Sequence, residues 1–187
     1  VHPSKGISVI VPYLVPYMAA EAFFRLNKSR IIAIVQKQKA KYGNVTAPDP
    51  ELIEQLRAKA KAELPSRLKE LADRYGFTYN RVTIKHNSTN WGSCSARNNI
   101  NLNLNLMRLP QVLRDYVLLH ELCHLRHRNH GQEFHELLEQ LLTDNVKEYV
   151  AEGDALAEEF LSRSSSSKSC YPLGRLMSGA LSGYRML

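Results

Sequence analysis

The stretch His120-Glu121-Leu122-Cys123-His124-Leu125-Arg126-His127-Arg128-Asn129-His130 opens with an H-E-x-x-H pattern and ends on a further histidine. It follows the apolar run Val117-Leu118-Leu119, and Pro110 suits a helix start, so a helix is predicted from Pro110 to about Arg128. Residues four apart on an α-helix lie about 40° apart around the axis and ~6 Å along it, so His120 and His124 can converge on one metal ion. Glu121, beside the first of them, can polarise a water on that ion without ligating it. Two histidines and a glutamate on an otherwise apolar helix are costly to bury unless they bind something.

A catalytic zinc needs a third protein ligand and an open position. His130 is the leading candidate: the helix ends, Asn129 takes a left-handed conformation, and Gly131 loosens the exit. His127 lies on the same helix stripe as His120 but roughly 4.5 Å further along the axis than His124. Glu136 and Glu139 downstream compete for the same role. Three imidazoles with an open position suit zinc best among divalent ions, one Zn2+ per chain.

Upstream, Ile100-Asn101-Leu102-Asn103-Leu104-Asn105-Leu106 alternates at period two and predicts a strand. Its leucine face is buried. Its asparagine face either meets water or forms the edge to which an extended peptide adds, with Asn101 and Asn103 as substrate-binding candidates. Phe77 to Lys85 reads as a second strand, and the short polar residues from Asn87 to Ser95 as a loop or hairpin. Trp91 is a candidate cleft wall or a core anchor, with Arg97 nearby to hold an anionic group.

Further out, Ile7 to Val11 alternates like a strand before Pro12. Apolar residues at helical spacing predict a helix from Tyr17 to Lys41, stopped by Gly43-Asn44. A second helix runs through Leu52, Leu56, Leu64, Leu68 and Leu71 to Gly76, kinked or divided at Pro65. Gln132 to about Leu142 and Val146 to Leu161 are predicted as the last helices. Ser162 to Lys168 is a serine-rich linker, and the residues beyond it show no clear periodicity. The organisation expected is a single domain over 1–161, with 1–76 a strand and basic helices and 77–161 the catalytic core. An irregular tail, 162–187, follows and is expected to be loosely held.

The net charge of +7 is uneven: residues 1–90 carry 15 Lys/Arg against 7 Asp/Glu, and the remainder 10 against 11. The basic part can attract an anionic partner, although its charges are spread along helices as on solvated faces. No apolar run approaches the ~20 residues that span a bilayer, so no membrane partner is expected. Three scattered cysteines and an N-terminus without signal-peptide architecture point to a reducing cytoplasm. Cys94 and Cys123 read as packing thiols, His135 as an exposed helix residue, and nothing in the spacing of Tyr149 demands a role.

Trp91-Gly92-Ser93-Cys94-Ser95, Ile100 to Leu106, Asp115-Tyr116-Val117 leading into His120-Glu121-Leu122, and Asn129-His130-Gly131 with Phe134 together resemble the YgjP-like metal-dependent hydrolases. These are similar to the SprT and WLM groups of zincin metallopeptidases. The resemblance runs from about Ile7 to Leu161. It implies an α+β fold, a compact zincin with a small antiparallel sheet packed against the H-E-x-x-H helix. It also implies His120, His124 and His130 as ligands and Glu121 as the catalytic base. Asn90 stands where many members have a basic residue, and His135 where an aromatic is common; both alter the cleft lining.

The function expected is hydrolysis of a peptide or protein substrate by Glu-assisted attack of metal-bound water. One alternative is a nucleotide pyrophosphatase using the same metal, although no glycine-rich phosphate loop is present. Another is a nucleic-acid-associated protease or binding module, although no helix-turn-helix, finger or RNA-binding signature is present.

Overall fold

The computed structural model describes residues 17–42, 49–165, 172–184 and 186–187. The strand expected at Ile7–Val11 and residues 166–168 of the serine-rich linker lie outside them, while residues 162–165 of that linker are helical. The chain divides into two units, Val1–Pro50 and Glu51–Leu187. The first holds α1 (Tyr17–Leu26) and α2 (Lys28–Tyr42). The sequence predicts one helix here, but Asn27 breaks it for a single residue. Its backbone N–H and side-chain amide both donate to the Phe23 carbonyl, at 3.1 and 2.9 Å. A mid-helix Asn competes for backbone partners in this way. Phe24, Ile31 and Val35 are half-buried on one stripe, whereas Phe23 and Ile34 are exposed.

The second unit begins with α3 (Pro50–Tyr75), which continues through Pro65 without dividing. Leu64, Leu68 and Leu71 face the core at helical spacing. Gly76 ends α3 with φ of 67°, and the Phe77 N–H reaches back 2.8 Å to the Ala72 carbonyl. That left-handed turn favours glycine because it has no Cβ to clash.

Three strands follow: β1 (Arg81–Lys85), β2 (Gly92–Cys94) and β3 (Asn99–Asn103). Their order is β1-β3-β2, with β1 parallel and β2 antiparallel to β3. The fold class is α+β as expected, but the small sheet is mixed rather than wholly antiparallel. The turn from β2 to β3 closes at Asn98, with φ of 57°. β3 ends early: the Asn103 side chain accepts the Asn105 N–H at 3.0 Å and starts a 3-10 turn over Leu104–Arg108. Ile100, Leu102, Leu104 and Leu106 are all fully buried, the last two from that turn rather than from a strand.

α4 (Gln111–Cys123) is the central helix, buried along nearly its whole length. Asp115, fully buried on it, takes the Arg67 guanidinium at 2.6 Å and the Tyr149 hydroxyl at 2.6 Å. One carboxylate thereby ties α4 to α3 and to α5 (Gln132–Ala151). α5 runs through the break predicted between Leu142 and Val146. The division falls instead at Gly153, with φ of 82°, before α6 (Ala155–Ser165). The Asp154 carboxylate caps α6 by accepting the Ala157 N–H at 2.9 Å.

Leu173–Leu181 forms a further helix, α7, where the sequence shows no clear periodicity. Leu173, Met177 and Leu181 are buried in the core, so this part of the tail is packed rather than loosely held. Among the described residues no helix is long and apolar enough to cross a membrane.

Candidate metal centre

His120 and His124 stand one turn apart at the end of α4. The helix stops at Cys123, five residues short of the predicted end, and His124 is its C-cap in a helical conformation. Asn129 plays no left-handed role, since among the described residues Asn98 alone of the non-glycines has positive φ. Two arginines instead fold back the connection to His130. Arg126 donates to the Tyr75 and Gly76 carbonyls at 3.2 and 3.0 Å and lies 4.2 Å over the Phe77 ring. Arg128 donates to the Ser95 carbonyl at 2.7 Å and to the Asn98 side chain. Gly131 then enters α5 in an extended conformation, with φ of −78°.

The result brings the three predicted histidines together. One nitrogen from each of His120, His124 and His130 lies within 4.8 Å of the others. Nε2 of His130 is 3.0 Å from Nε2 of His120. Phe134, in the first turn of α5, packs against all three rings, with centroids 4.7 to 5.0 Å away. His124 Nδ1 faces the His127 carbonyl at 3.1 Å, a partner that calls for N–H there and leaves Nε2 as the lone-pair nitrogen. Burial, reinforced by the neighbouring histidines, pushes His120 down to about 4. Burial also lowers His124. Both shifts favour the neutral ring, the state a metal requires.

Glu121 is buried beside this group and lies against the backbone of β2. A Cβ on Gly92 would stand 2.6 Å from Glu121 Oε1, so only glycine admits the carboxylate here. Burial raises its pKa to about 7. Its Oε2 is buried without a hydrogen-bond partner, as is His120 Nδ1. Buried polar atoms are ordinarily paired, and these two stand together at the histidine cluster.

The rival third ligands are engaged elsewhere. His127 Nδ1 is 3.3 Å from Glu133, Glu136 accepts from Gln132 at 2.7 Å, and Glu139 accepts the Leu173 and Gly174 N–H groups of α7. Beside His120 and His130 opens a cleft of about 610 Å³. Tyr116, Phe134 and Leu138 line it from α4 and α5, and Arg175 and Ser178 from α7.

The predicted substrate residues do not lie in that cleft. Trp91, Asn101 and Asn103 line a smaller one of about 160 Å³, and Trp91 also packs on the core. Arg97 is exposed in the β2–β3 turn and lines neither cleft. β3 is central, paired on both sides, so it cannot accept a peptide strand; β1 and β2 carry the edges. Asn103 is buried and donates to the Asn87 and Asn90 carbonyls, and Asn101 donates to Ser93. Burial raises the Cys94 and Cys123 thiols, Cys123 to about 12, which disfavours the thiolate in both. Tyr149 serves Asp115, and His135 is exposed on α5. Sequence reasoning missed the close approach at Gly92 and the whole of the α7 wall. The four-residue spacing of Leu173, Met177 and Leu181 was the available signal for the latter.

The model of the YgjP-like metallopeptidase domain matches residues 36–152. The chain belongs to that family. No curated protein and no solved structure matches it. A YgjP-like metallopeptidase domain is a metal-dependent hydrolase, and it implies a metal ion. The residues present fit one: three imidazoles converge, and a partnerless carboxylate oxygen lies beside them. The matched residues end before α6 and α7, so the α7 wall lies outside the YgjP-like region.

Proposed function

We propose that this YgjP-like protein is a zinc metallopeptidase in which His120, His124 and His130 hold the ion and Glu121 is the general base. The observation that carries the reading is the convergence of three imidazole nitrogens within 4.8 Å beside a buried glutamate. When bound, zinc supplies Lewis acidity, polarising a substrate carbonyl and lowering the pKa of a coordinated water toward ~7. The chain's own groups do the rest. Glu121 takes the proton of the attacking water and delivers it to the leaving amine. A carboxyl that burial has brought to about 7 both accepts and returns a proton readily at neutral pH. Gly92 fixes where that carboxylate stands, and Phe134 fixes the three rings.

An extended peptide is the substrate this arrangement suits. β2 is an edge strand, and its Gly92 touches Glu121, so a peptide added along β2 passes the base. Trp91, Asn101 and Asn103 would then act from the small cleft beside β2, and Arg97 from the turn at its end. Among the described residues both cysteines are free, which supports a reducing, cytoplasmic setting.

The test is elemental analysis of the purified protein, wild type beside H124A, followed by a peptide panel with E121Q as control. About one zinc per chain, lost in H124A, and turnover lost in a zinc-replete E121Q are the results expected. Protein without metal, or an E121Q variant with wild-type rate, would overturn the proposal. Pyrophosphate released from nucleotides in place of peptide cleavage would transfer the site to the other substrate class.

A further inference from the structure

The cleft beside the metal ligands has a wall that the peptidase chemistry above leaves unused. Tyr116 precedes His120 by one turn of α4, and Phe134 and Leu138 stand one turn apart on α5. All three line the cleft and are otherwise buried, so the wall is fixed by the core. It starts at the metal centre. The Tyr116 ring centroid lies 6.0 Å from that of His120, and the Phe134 ring lies 5.0 Å from His120 and 4.7 Å from His130.

α7 supplies the other side, and its polar groups are already engaged. The Ser178 side chain hydrogen-bonds that of Tyr116. One Glu139 oxygen accepts the Leu173 N–H at 2.6 Å and the other accepts the Gly174 N–H at 3.0 Å. Arg175 has an interaction of its own as well. Glu139 and Arg175 are opposite in sign, so they give the lining no net permanent charge. A polar or charged group entering here meets partners that are taken, whereas an apolar group is removed from water against an apolar wall. The volume of about 610 Å³ leaves room for a bulky one.

We propose that this cleft is a side-chain subsite, in which a bulky apolar side chain of the substrate lies against Tyr116, Phe134 and Leu138 under α7. The inference rests on the metallopeptidase reading and narrows its substrates to peptides with a large apolar residue next to the cleaved bond. The proximity of the wall to His120 and His130 is what puts that residue next to the bond. Because α7 follows the matched residues, this selectivity is a feature of this chain added to the YgjP-like region.

The test uses the zinc-loaded full chain and two series of hydroxamates, measured by calorimetry. Amino-acid hydroxamates put the side chain on the carbonyl side of the cleaved bond, and succinyl hydroxamates put it on the amine side. Each series carries a methyl, a benzyl or a carboxymethyl side chain. In at least one series the benzyl compound should bind wild type roughly tenfold or more tighter than the other two. That series tells which side of the bond the cleft serves. The preference should survive in S178A, which keeps the space, and fall to near unity in S178W, which fills it. In wild type the benzyl compound alone should move the Leu138 methyl resonances by its ring current, a readout that needs no variant. Equal affinities within both series, a preference for the carboxymethyl compound, a benzyl preference unchanged in S178W, or unmoved Leu138 methyls would each overturn the inference, while hydroxamate binding still upholds the metal. If no hydroxamate binds the zinc-loaded chain, the metallopeptidase reading falls and this inference with it.

Discussion

Replacing Glu121 by glutamine in the metal-free protein should make it more stable, and increasingly so as pH rises. Burial holds this carboxyl at about 7 in the folded chain, against an ordinary value of 4.5. Between those values the folded state keeps a proton that the unfolded state has released, so wild-type stability falls as pH rises through the window. At about 1.4 kcal/mol per pH unit, the loss reaches about 3 kcal/mol above pH 7. Glutamine does not ionise and escapes it. The assay is urea denaturation of chelator-treated wild type and E121Q from pH 4.5 to 8. The two should be close at the acid end and about 3 kcal/mol apart at pH 8, or about 6–12 °C in melting temperature.

His120 works in the opposite sense. Its folded value of about 4 lies below the ordinary 6.5, so both proteins lose stability as pH falls through that range. Being common to both, this loss cancels in the difference. A difference that is flat with pH, or a wild type more stable than E121Q at pH 8, would refute the claim that Glu121 is held in a desolvated place.

Gly92→Ala would put a methyl 2.6 Å from Glu121 Oε1 and push the base aside; peptide turnover should drop roughly 100-fold at unchanged zinc content. A wild-type rate in G92A would contradict the close approach. Asp115→Asn removes the buried carboxylate shared by Arg67 and Tyr149 and leaves Arg67 with the exposed Glu70, for a loss of about 3 kcal/mol in chemical denaturation. An apolar pair at both positions should recover most of that stability, and failure to recover it would assign the effect to packing. Met177→Ala should destabilise the chain by about 2–4 kcal/mol. No change in its unfolding would mean that α7 is not part of the core.

The pairing of His120 with His124 was legible in the sequence because it is local. His120, Glu121 and His124 share one turn of one helix, and the period of that helix alone puts two imidazoles side by side. The same holds for α3 ending at Gly76 and for the burial of Ile100, Leu102, Leu104 and Leu106, which follow from periodicity and glycine geometry, whereas the α+β class came from the family resemblance. His130 does stand beside His120 and His124, but it is not brought there by the local turn that the sequence suggests. Asn129 does not turn the chain; Arg126 and Arg128 do, by reaching the Gly76 turn and the β2–β3 turn, and partners that far away leave no mark on a short motif.

What only the tertiary structure decided concerns long-range pairing. Alternation shows that Ile100 to Asn103 is a strand but not whether it is an edge, since a central strand has the same period. The pairing of β3 with both neighbours makes it a central strand and leaves β2 as an edge, with its Gly92 against Glu121. Gly92 is one letter in the sequence, and its meaning appears only when a carboxylate from another element stands where its side chain would be. α7 is short enough that three apolar residues at helical spacing are a weak signal. It becomes a wall of the cleft through Glu139, which lies over thirty residues away in sequence and neutralises the end of the helix it receives.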